Sequence, residues 1–317
     1  MAAAVFESEI PVFCFDIGGT FIKFGLSKAP GDLVQLDKIP TPRASWPDMV
    51  AAVGGLIDRY GHLGHPSSPA ALSLAAAIDG NGVATAANIP CLSGIDPAVK
   101  FTADLGRRVV VANDADCLTL AEANEGAGRG HEVVFCAILG TGVGGGLAVG
   151  GRLVTGSGEW GHGPVIPGVV DCGDGPVTIP VLPCACGQSG CVDTIGGARG
   201  IERLHGLLHG STATSLDIVN GWQAGDPAAS RTVTGYLNLI SGPLALVVNV
   251  TGATAVPVGG GLASATPLIA AIDRAVRQRA LQHSDSPLVV PAHRREDGGM
   301  AGAAIVGRRA MANVAVN

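Results

Sequence analysis

The chain has 317 residues, enough for about two domains and a sizeable core. Hydrophobic residues make up 47% and charged residues only 15%, which excludes a disordered chain. A net charge of −6 with no basic run argues against nucleic-acid binding. Residues 1–10 carry acid and no basic segment, so no secretory signal is expected and the location is expected to be cytoplasmic. Eight cysteines in that setting are expected as reduced thiols or metal ligands and not as disulfides.

Residues 11–16 form a short apolar run that stops at Gly18-Gly19-Thr20, and a second run follows at 22–26. That pattern predicts strand, tight turn, strand. Residues 46–59 predict a helix and 61–69 a loop. A buried strand is expected at 109–112, ending at Asn113-Asp114, with a helix from Asp116 to about Glu125. Residues 133–139 predict another strand, ending at Gly140-Thr141-Gly142-Val143-Gly144-Gly145-Gly146 and continuing beyond it. The first glycine hairpin thus recurs halfway along, a weak internal repeat. Residues 168–183 are expected to be an irregular loop. Further helices are expected at 198–208, 228–248, 267–281 and from about 299 to 312.

Residues 240–272 carry no charged side chain and resemble a membrane span. Pro243, Asn249, Gly252, Pro257 and Gly259-Gly260-Gly261 argue against one continuous apolar helix. A buried helix, then a buried strand, then a glycine loop is expected instead. Strands alternating with helices predict an α/β fold.

Glycines at the end of a buried strand let backbone amides approach a phosphate without obstruction. Asp16, Gly18, Gly19 and Thr20 fit that use, with Asp16 facing the anion through Mg²⁺ or its waters; an ordinary hairpin turn is the alternative. The 140–146 run is open to the same two readings, and it is not a Walker A loop because no Gly-Lys-Ser/Thr follows. Gly259-Gly260-Gly261 can admit an adenine and ribose against bare backbone, or can simply connect strand to helix. Asn113-Asp114 lies at the C-terminal end of a strand, where open α/β sheets bind ligands. A carboxylate there can take a proton from an attacking hydroxyl; it can also cap the following helix, unless Asp116 does so.

Cys184, Cys186 and Cys191 lie within eight residues, with Glu159 and His162 upstream and Asp193 just beyond. Thiolates and imidazole are the usual ligands of structural zinc. The expected set is His162, Cys184, Cys186 and Cys191, with Cys172 as a rival ligand. Cys14, Cys91, Cys117 and Cys136 sit in apolar contexts and read as small core residues. His131, His205, His209, His283 and His293 have no ligand-like neighbours in the sequence.

Together these motifs resemble the ROK family of sugar kinases and sugar-responsive repressors, of the actin-like, hexokinase-type ATPase superfamily. The resemblance spans the chain from Asp16 to the Gly298–Ala304 segment. Glu159-x-x-His162 and the Cys-x-Cys-Gly-x-x-Gly-Cys motif are its most specific parts. Residues 86–90, 138–146 and the spacing from His162 to Cys184 bring it nearest in look to bacterial N-acetylglucosamine kinases.

The resemblance implies a two-lobed fold with a zinc-binding loop: residues 1–115 plus 300–317 in one lobe, 116–299 in the other, closing on substrate. It implies transfer of phosphate from ATP, with Mg²⁺, to the 6-hydroxyl of a hexose. N-acetylglucosamine is the first candidate sugar; N-acetylmannosamine, glucose and fructose are alternatives. Asp114 would be the general base. Ala76, Asn88, Asn113, Glu159, His162 and Asp193 would line the sugar. Asp16, Gly18, Gly19, Thr20, Lys23, Thr141, Gly142, Gly260 and Gly261 would hold the nucleotide. His162 would serve zinc and sugar through its two ring nitrogens. A homodimer, with neither nucleic-acid nor membrane partners, is also implied.

Four positions depart from the family pattern. Phe21 stands where Lys is usual, with the basic residue at Lys23. Asp114-Ala115-Asp116 replaces Asp-Ala-Asn. Ala75-Ala76 replaces Pro-Gly, and Asp193 replaces a glutamate. The last two bear on the identity of the sugar. Repressors of the family carry a helix-turn-helix ahead of the first glycine motif; only 15 residues precede Asp16, which favours the kinase over the regulator. A zinc-stabilised interaction protein would need neither the glycine motifs nor Asp114.

Overall fold

The computed structural model describes residues 10–282 and 284–312. The chain runs through β1 (Val12–Ile17), β2 (Phe21–Ala29), β3 (Asp32–Pro40), α1 (Trp46–Tyr60), β4 (Ala70–Leu74), a short hairpin of β5 (Ala77–Ile78) and β6 (Ala84–Thr85), α2 (Pro97–Leu105), β7 (Val109–Asn113) and α3 (Asp114–Glu125). It continues through β8 (Val133–Leu139), β9 (Val143–Val149), β10 (Arg152–Leu153), β11 (Val169–Asp171), β12 (Pro176–Thr178), α4 (Asp193–Gly196), α5 (Ala198–His209) and α6 (Ser215–Gln223). The remaining elements are α7 (Pro227–Thr251), β13 (Val256–Gly259), α8 (Thr266–Arg277), β14 (Val289–Pro291) and α9 (Gly298–Ala312). Two compact units result: residues 1–121 with 296–317, and residues 122–295.

The first unit is built on a sheet of order β3-β2-β1-β4-β7. β1 and β2 are antiparallel through the Gly18-Gly19-Thr20 turn, whereas β1, β4 and β7 run parallel. Register puts Asp16 beside Ser73 and Leu74 beside Asn113, so the parallel strands end level with one another. Phe13, Phe15 and Phe24 pack together on one face of this sheet with Met49 and Leu56 of α1. The other face takes α9, whose Met300, Ala303 and Ala304 bury against Val12, Cys14 and Cys117.

The second unit repeats the plan, with order β10-β9-β8-β13-β14, an antiparallel β8-β9 hairpin and parallel β8, β13 and β14. The repeat expected from the two glycine hairpins is therefore present as a shared strand order. Tyr236 of α7 is fully buried. Its hydroxyl donates to Gly196 O at 2.7 Å, and burial raises its pKa. The bond holds the short α4 turn onto the core.

Several expectations need correction. Residues 168–183 are not wholly irregular: β11 and β12 pair from Val169–Thr178 to Asp171–Pro176. Buried Val170 and Cys172 anchor that hairpin beneath α7. Pro243 lies inside α7, within the helix expected over 228–248, and the expected sequence of helix, strand and glycine loop holds across 240–272. α7 is long and apolar enough to cross a membrane, but half of its apolar window is buried within the fold. α3 begins at Asp114 and not at Asp116. Its cap is Asn113, whose Oδ1 accepts the amides of Ala115 and Asp116 at 2.8 and 3.3 Å, a role Asn fills well.

β3, β4, α2 and α6 carried no clear sequence signal. β4 is buried on both faces, as parallel strands usually are, so it shows no alternation. α6 starts with a Thr214–Asp217 capping box.

Candidate functional site

In the first unit the candidate residues gather at the C-terminal ends of β1, β4 and β7. Asp16 Oδ1 accepts from the Ser73 hydroxyl at 3.3 Å, and its Oδ2 pairs with Lys23 Nζ at 3.4 Å. Lys23, which faces Asp16 across the β1-β2 ladder, also donates to Glu296 O at 2.8 Å. Its charge is thus committed beside Asp16. A Cβ on Gly299, in the first turn of α9, would stand 2.5 Å from Asp16 Oδ1. Only glycine leaves that carboxylate in place.

The Gly18-Gly19-Thr20 turn is closed by Gly18 N–H to Phe21 O, and it is braced by Thr41, whose amide donates to Thr20 O and whose hydroxyl donates to Gly18 O. A Cβ on Gly19 would lie 3.0 Å from the Asn88 side chain, so the turn and Asn88 are immediate neighbours. Asn113 Nδ2 donates to Ala76 O at 2.9 Å and to Asp114 Oδ1 at 3.0 Å. Ala115 N–H also donates to Asp114 Oδ1, at 2.9 Å. Asp16, Asn88, Asn113, Asp114 and Ala76 therefore share one end of this sheet.

Protein atoms crowd the Asp114 carboxyl although its side chain meets solvent. Desolvation is the main cause raising its pKa above the usual carboxylate value, and the negative charge of Asp16 adds to it. The solvent contact describes access, the crowding describes the field, and both suit a proton acceptor.

In the second unit the two glycine segments lie side by side. Gly260 has φ +83°, and a Cβ there would lie 2.5 Å from the backbone of Leu139. Gly197 seats against the carbonyls of Gly140, Thr141 and Gly142, and Ala198 N–H donates to Gly140 O at 2.7 Å. Trp160 Nε1 donates to Gly144 O at 2.7 Å, with its ring edge-on to buried Phe135.

His162, Cys184, Cys186 and Cys191 converge, their ligand atoms all within 4.8 Å of one another. His162 Nδ1 lies 3.6 Å from Cys184 Sγ, and Cys186 Sγ lies 3.7 Å from Cys191 Sγ. Tetrahedral zinc, with sulfur at about 2.3 Å and nitrogen at about 2.0 Å, requires separations of about 3.8 Å and about 3.5 Å respectively. The set therefore fits zinc in both donor type and spacing. Cys172, the rival ligand, is buried against Gly235 and lies outside the set. The Gln188 amide is the main cause holding the Cys186 thiol down to about 7, while Cys184 is pushed up to about 11. A cluster in which one thiolate opposes the next is one that a cation stabilises.

His162 presents its other nitrogen, Nε2, to Glu159 at 3.7 Å. Glu159 is 75% exposed. Asp193 Oδ1 accepts the Val143 amide at 2.7 Å, and its Oδ2 lies 3.8 Å from Cys184 Sγ. One carboxylate thus touches both the glycine hairpin and the thiol loop. Sequence reasoning missed Ser73 and the Val143 amide. No local motif marks either; both partners come from strand register and turn geometry.

These features define an α/β protein with paired glycine hairpins and a Cys₃His cluster. The chain belongs to the ROK family, whose model it matches over residues 12–310. It is 31% identical over 305 residues to an N-acetyl-D-glucosamine kinase of Salmonella paratyphi B (strain ATCC BAA-1250 / SPB7), covering 92% of this chain and 97% of the relative. It is 29% identical over 296 residues to an N-acetylgalactosamine kinase of Shewanella sp. (strain ANA-3), covering 92% and 95% respectively. Its fold superposes on a ROK hexokinase from Thermus thermophilus with a TM-score of 0.81 at 27% identity, covering 96% of this chain and all of that one.

Proposed function

We propose that this chain is an ATP-dependent sugar kinase that phosphorylates the 6-hydroxyl of an N-acetylhexosamine. N-acetylglucosamine is the first candidate. N-acetylgalactosamine, absent from the sequence-based alternatives, joins N-acetylmannosamine, glucose and fructose because of the Shewanella relative. The observation that carries this reading is Asp114, held by Asn113 at the strand ends beside Asp16 and the first glycine turn.

Asp114 accepts the hydroxyl proton as the sugar oxygen attacks phosphorus. Asn113 and Ala115 fix its Oδ1, leaving Oδ2 for that proton. Asn113, Asn88 and the Ala76 segment bind sugar hydroxyls, as do Glu159, His162 and Asp193. The Gly18-Gly19-Thr20 turn and the Thr141-Gly142 segment offer amides to phosphate oxygens, and Gly260-Gly261 leaves room for the nucleoside. Asp16 would hold a Mg²⁺ ion or its waters, and that ion, bound with the nucleotide, would supply positive charge to the phosphates. His162, Cys184, Cys186 and Cys191 would hold zinc as a scaffold that orients the imidazole. A homodimer in the cytoplasm completes the proposal.

The test is ADP release with Mg-ATP and a panel of glucose, mannose, N-acetylglucosamine, N-acetylgalactosamine and N-acetylmannosamine. Turnover of at least one N-acetylhexosamine is expected; none with any sugar rejects the reading.

A further inference from the structure

His205 and His209 lie one turn apart on α5, with their ring centres separated by 4.7 Å. Both face Thr232 of α7. His205 Nδ1 stands 2.9 Å from its Oγ1, and His209 Nε2 stands 3.2 Å from the same atom. Thr232 is fully buried and His205 nearly so. The Thr232 hydroxyl donates its one proton to Ala228 O at 3.0 Å, so Oγ1 can only accept from the two rings. Each ring therefore carries a hydrogen on the nitrogen that faces Thr232. His205 Nε2 is then the acceptor of a neutral ring, and the Ser211 hydroxyl donates to it at 3.4 Å. One hydroxyl and two neutral imidazoles thus fasten the end of α5 to the first turns of α7.

We propose that this pair is a pH-sensitive clasp: it holds α5 on α7 while both rings are neutral, and proton uptake loosens α5 together with its tie to the second glycine hairpin. That tie lies at the other end of the helix, where Ala198 N–H donates to Gly140 O at 2.7 Å. A proton added at His205 Nε2 meets the hydroxyl that was donating there, while the ring stays buried. Two charged rings at that spacing also repel each other. Burial is the main cause that keeps the His205 ring below the usual imidazole range; the His209 charge adds to it, and Asp226, the N-cap of α7, opposes it. Other charged groups on these elements are engaged. Glu202 accepts the Ser215 amide, Asp217 of α6 accepts from Thr214, and Arg231 of α7 pairs with Asp174. An unfolded histidine takes its proton near about pH 6.5, and the folded ring resists it. The stability that the clasp contributes is therefore complete above that value and is lost as pH falls through the lower folded value. None of this depends on the kinase reading.

The experiment is amide hydrogen exchange of residues 198–208 in the full chain, at about pH 7.5 and about pH 5.5, corrected for the intrinsic rate. Wild type is compared with the double variant His205→Asn with His209→Gln, whose side-chain amides keep N–H donors toward Thr232 but take up no proton. Wild-type protection is expected to fall about threefold or more at the lower pH. The double variant is expected to lose less than half as much on a logarithmic scale. Acid effects elsewhere in the chain act on both proteins alike, so the difference between them reports the clasp. A smaller fall in wild type overturns the proposal, and so does a double variant that loses half or more of what wild type loses. Should the double variant fail to fold, His209→Gln decides. Without the neighbouring charge the fall must be smaller than in wild type, and an equal or larger fall overturns the proposal.

Discussion

Asp193 Oδ1 accepts the Val143 amide at 2.7 Å, so one short carboxylate fastens the thiol loop to the glycine hairpin. A Cβ on Gly142 would collide with that same carboxylate, which explains a glycine there. Asp193→Ala leaves the Val143 amide without its partner. It is expected to cost about 1–3 kcal/mol of stability, read as a lower unfolding midpoint in urea, and to raise the KM for sugar. An unchanged midpoint would mean that the bond contributes little.

The Cys₃His set predicts close to one zinc per chain, in protein purified without added metal. Cys191→Ser should lose the metal and lower the Tm, because metal binding is coupled to folding. Cys172→Ser should keep the metal, since Cys172 packs under α7 and lies outside the Cys₃His set. Elemental analysis of the two variants separates these outcomes. Metal lost from Cys172→Ser and kept by Cys191→Ser would reverse the assignment.

Asp114 must be ionised to accept a proton, and its pKa is raised by desolvation and by Asp16. The acid limb of kcat is therefore expected at a higher pH than an ordinary carboxylate gives. Activity is present above that pKa and lost as pH falls through it. Removing the negative charge at Asp16 favours ionised Asp114, so Asp16→Asn should move the limb to lower pH, whatever it does to the rate itself. A limb that stays in place or moves to higher pH in Asp16→Asn contradicts the coupling.

Gly299 and Gly302 are predicted to differ in what they protect. Gly299→Ala places a methyl group 2.5 Å from Asp16 Oδ1, so it should shift that carboxylate and depress kcat more than stability. Gly302→Ala drives a methyl group into the Cys117 backbone, where α9 crosses α3. It should cost about 1–3 kcal/mol as overpacking does, with the sugar KM of the surviving protein little changed. Denaturant melts with paired kinetics check both.

The parts legible in the sequence were those whose chemistry is local. Gly18-Gly19-Thr20, Gly140–Gly146 and the Cys184–Cys191 spacing all declare themselves within a few residues. The thiol set follows from residue type and interval, with the rival Cys172 set apart only by its burial against Gly235. What stayed hidden depends on distance in the chain. Ser73 reaches Asp16 only through the β1-β4 register, and Gly299 reaches it only because α9 packs back on that sheet. Asn113 proved to be the helix cap because the helix begins at Asp114, two residues before the Asp116 start expected from the sequence.

The central claim is that Asp114 acts as the base of a sugar kinase, and Asp114→Asn tests it most directly. The amide is nearly the same size and can keep the hydrogen bond to Ala115, but it cannot accept the proton. Phosphoryl transfer from ATP to N-acetylglucosamine, followed as ADP release alongside calorimetric sugar binding, is expected to fall about 100-fold or more, with sugar affinity largely kept. Turnover in Asp114→Asn close to that of wild type, with sugar still bound, would contradict the account.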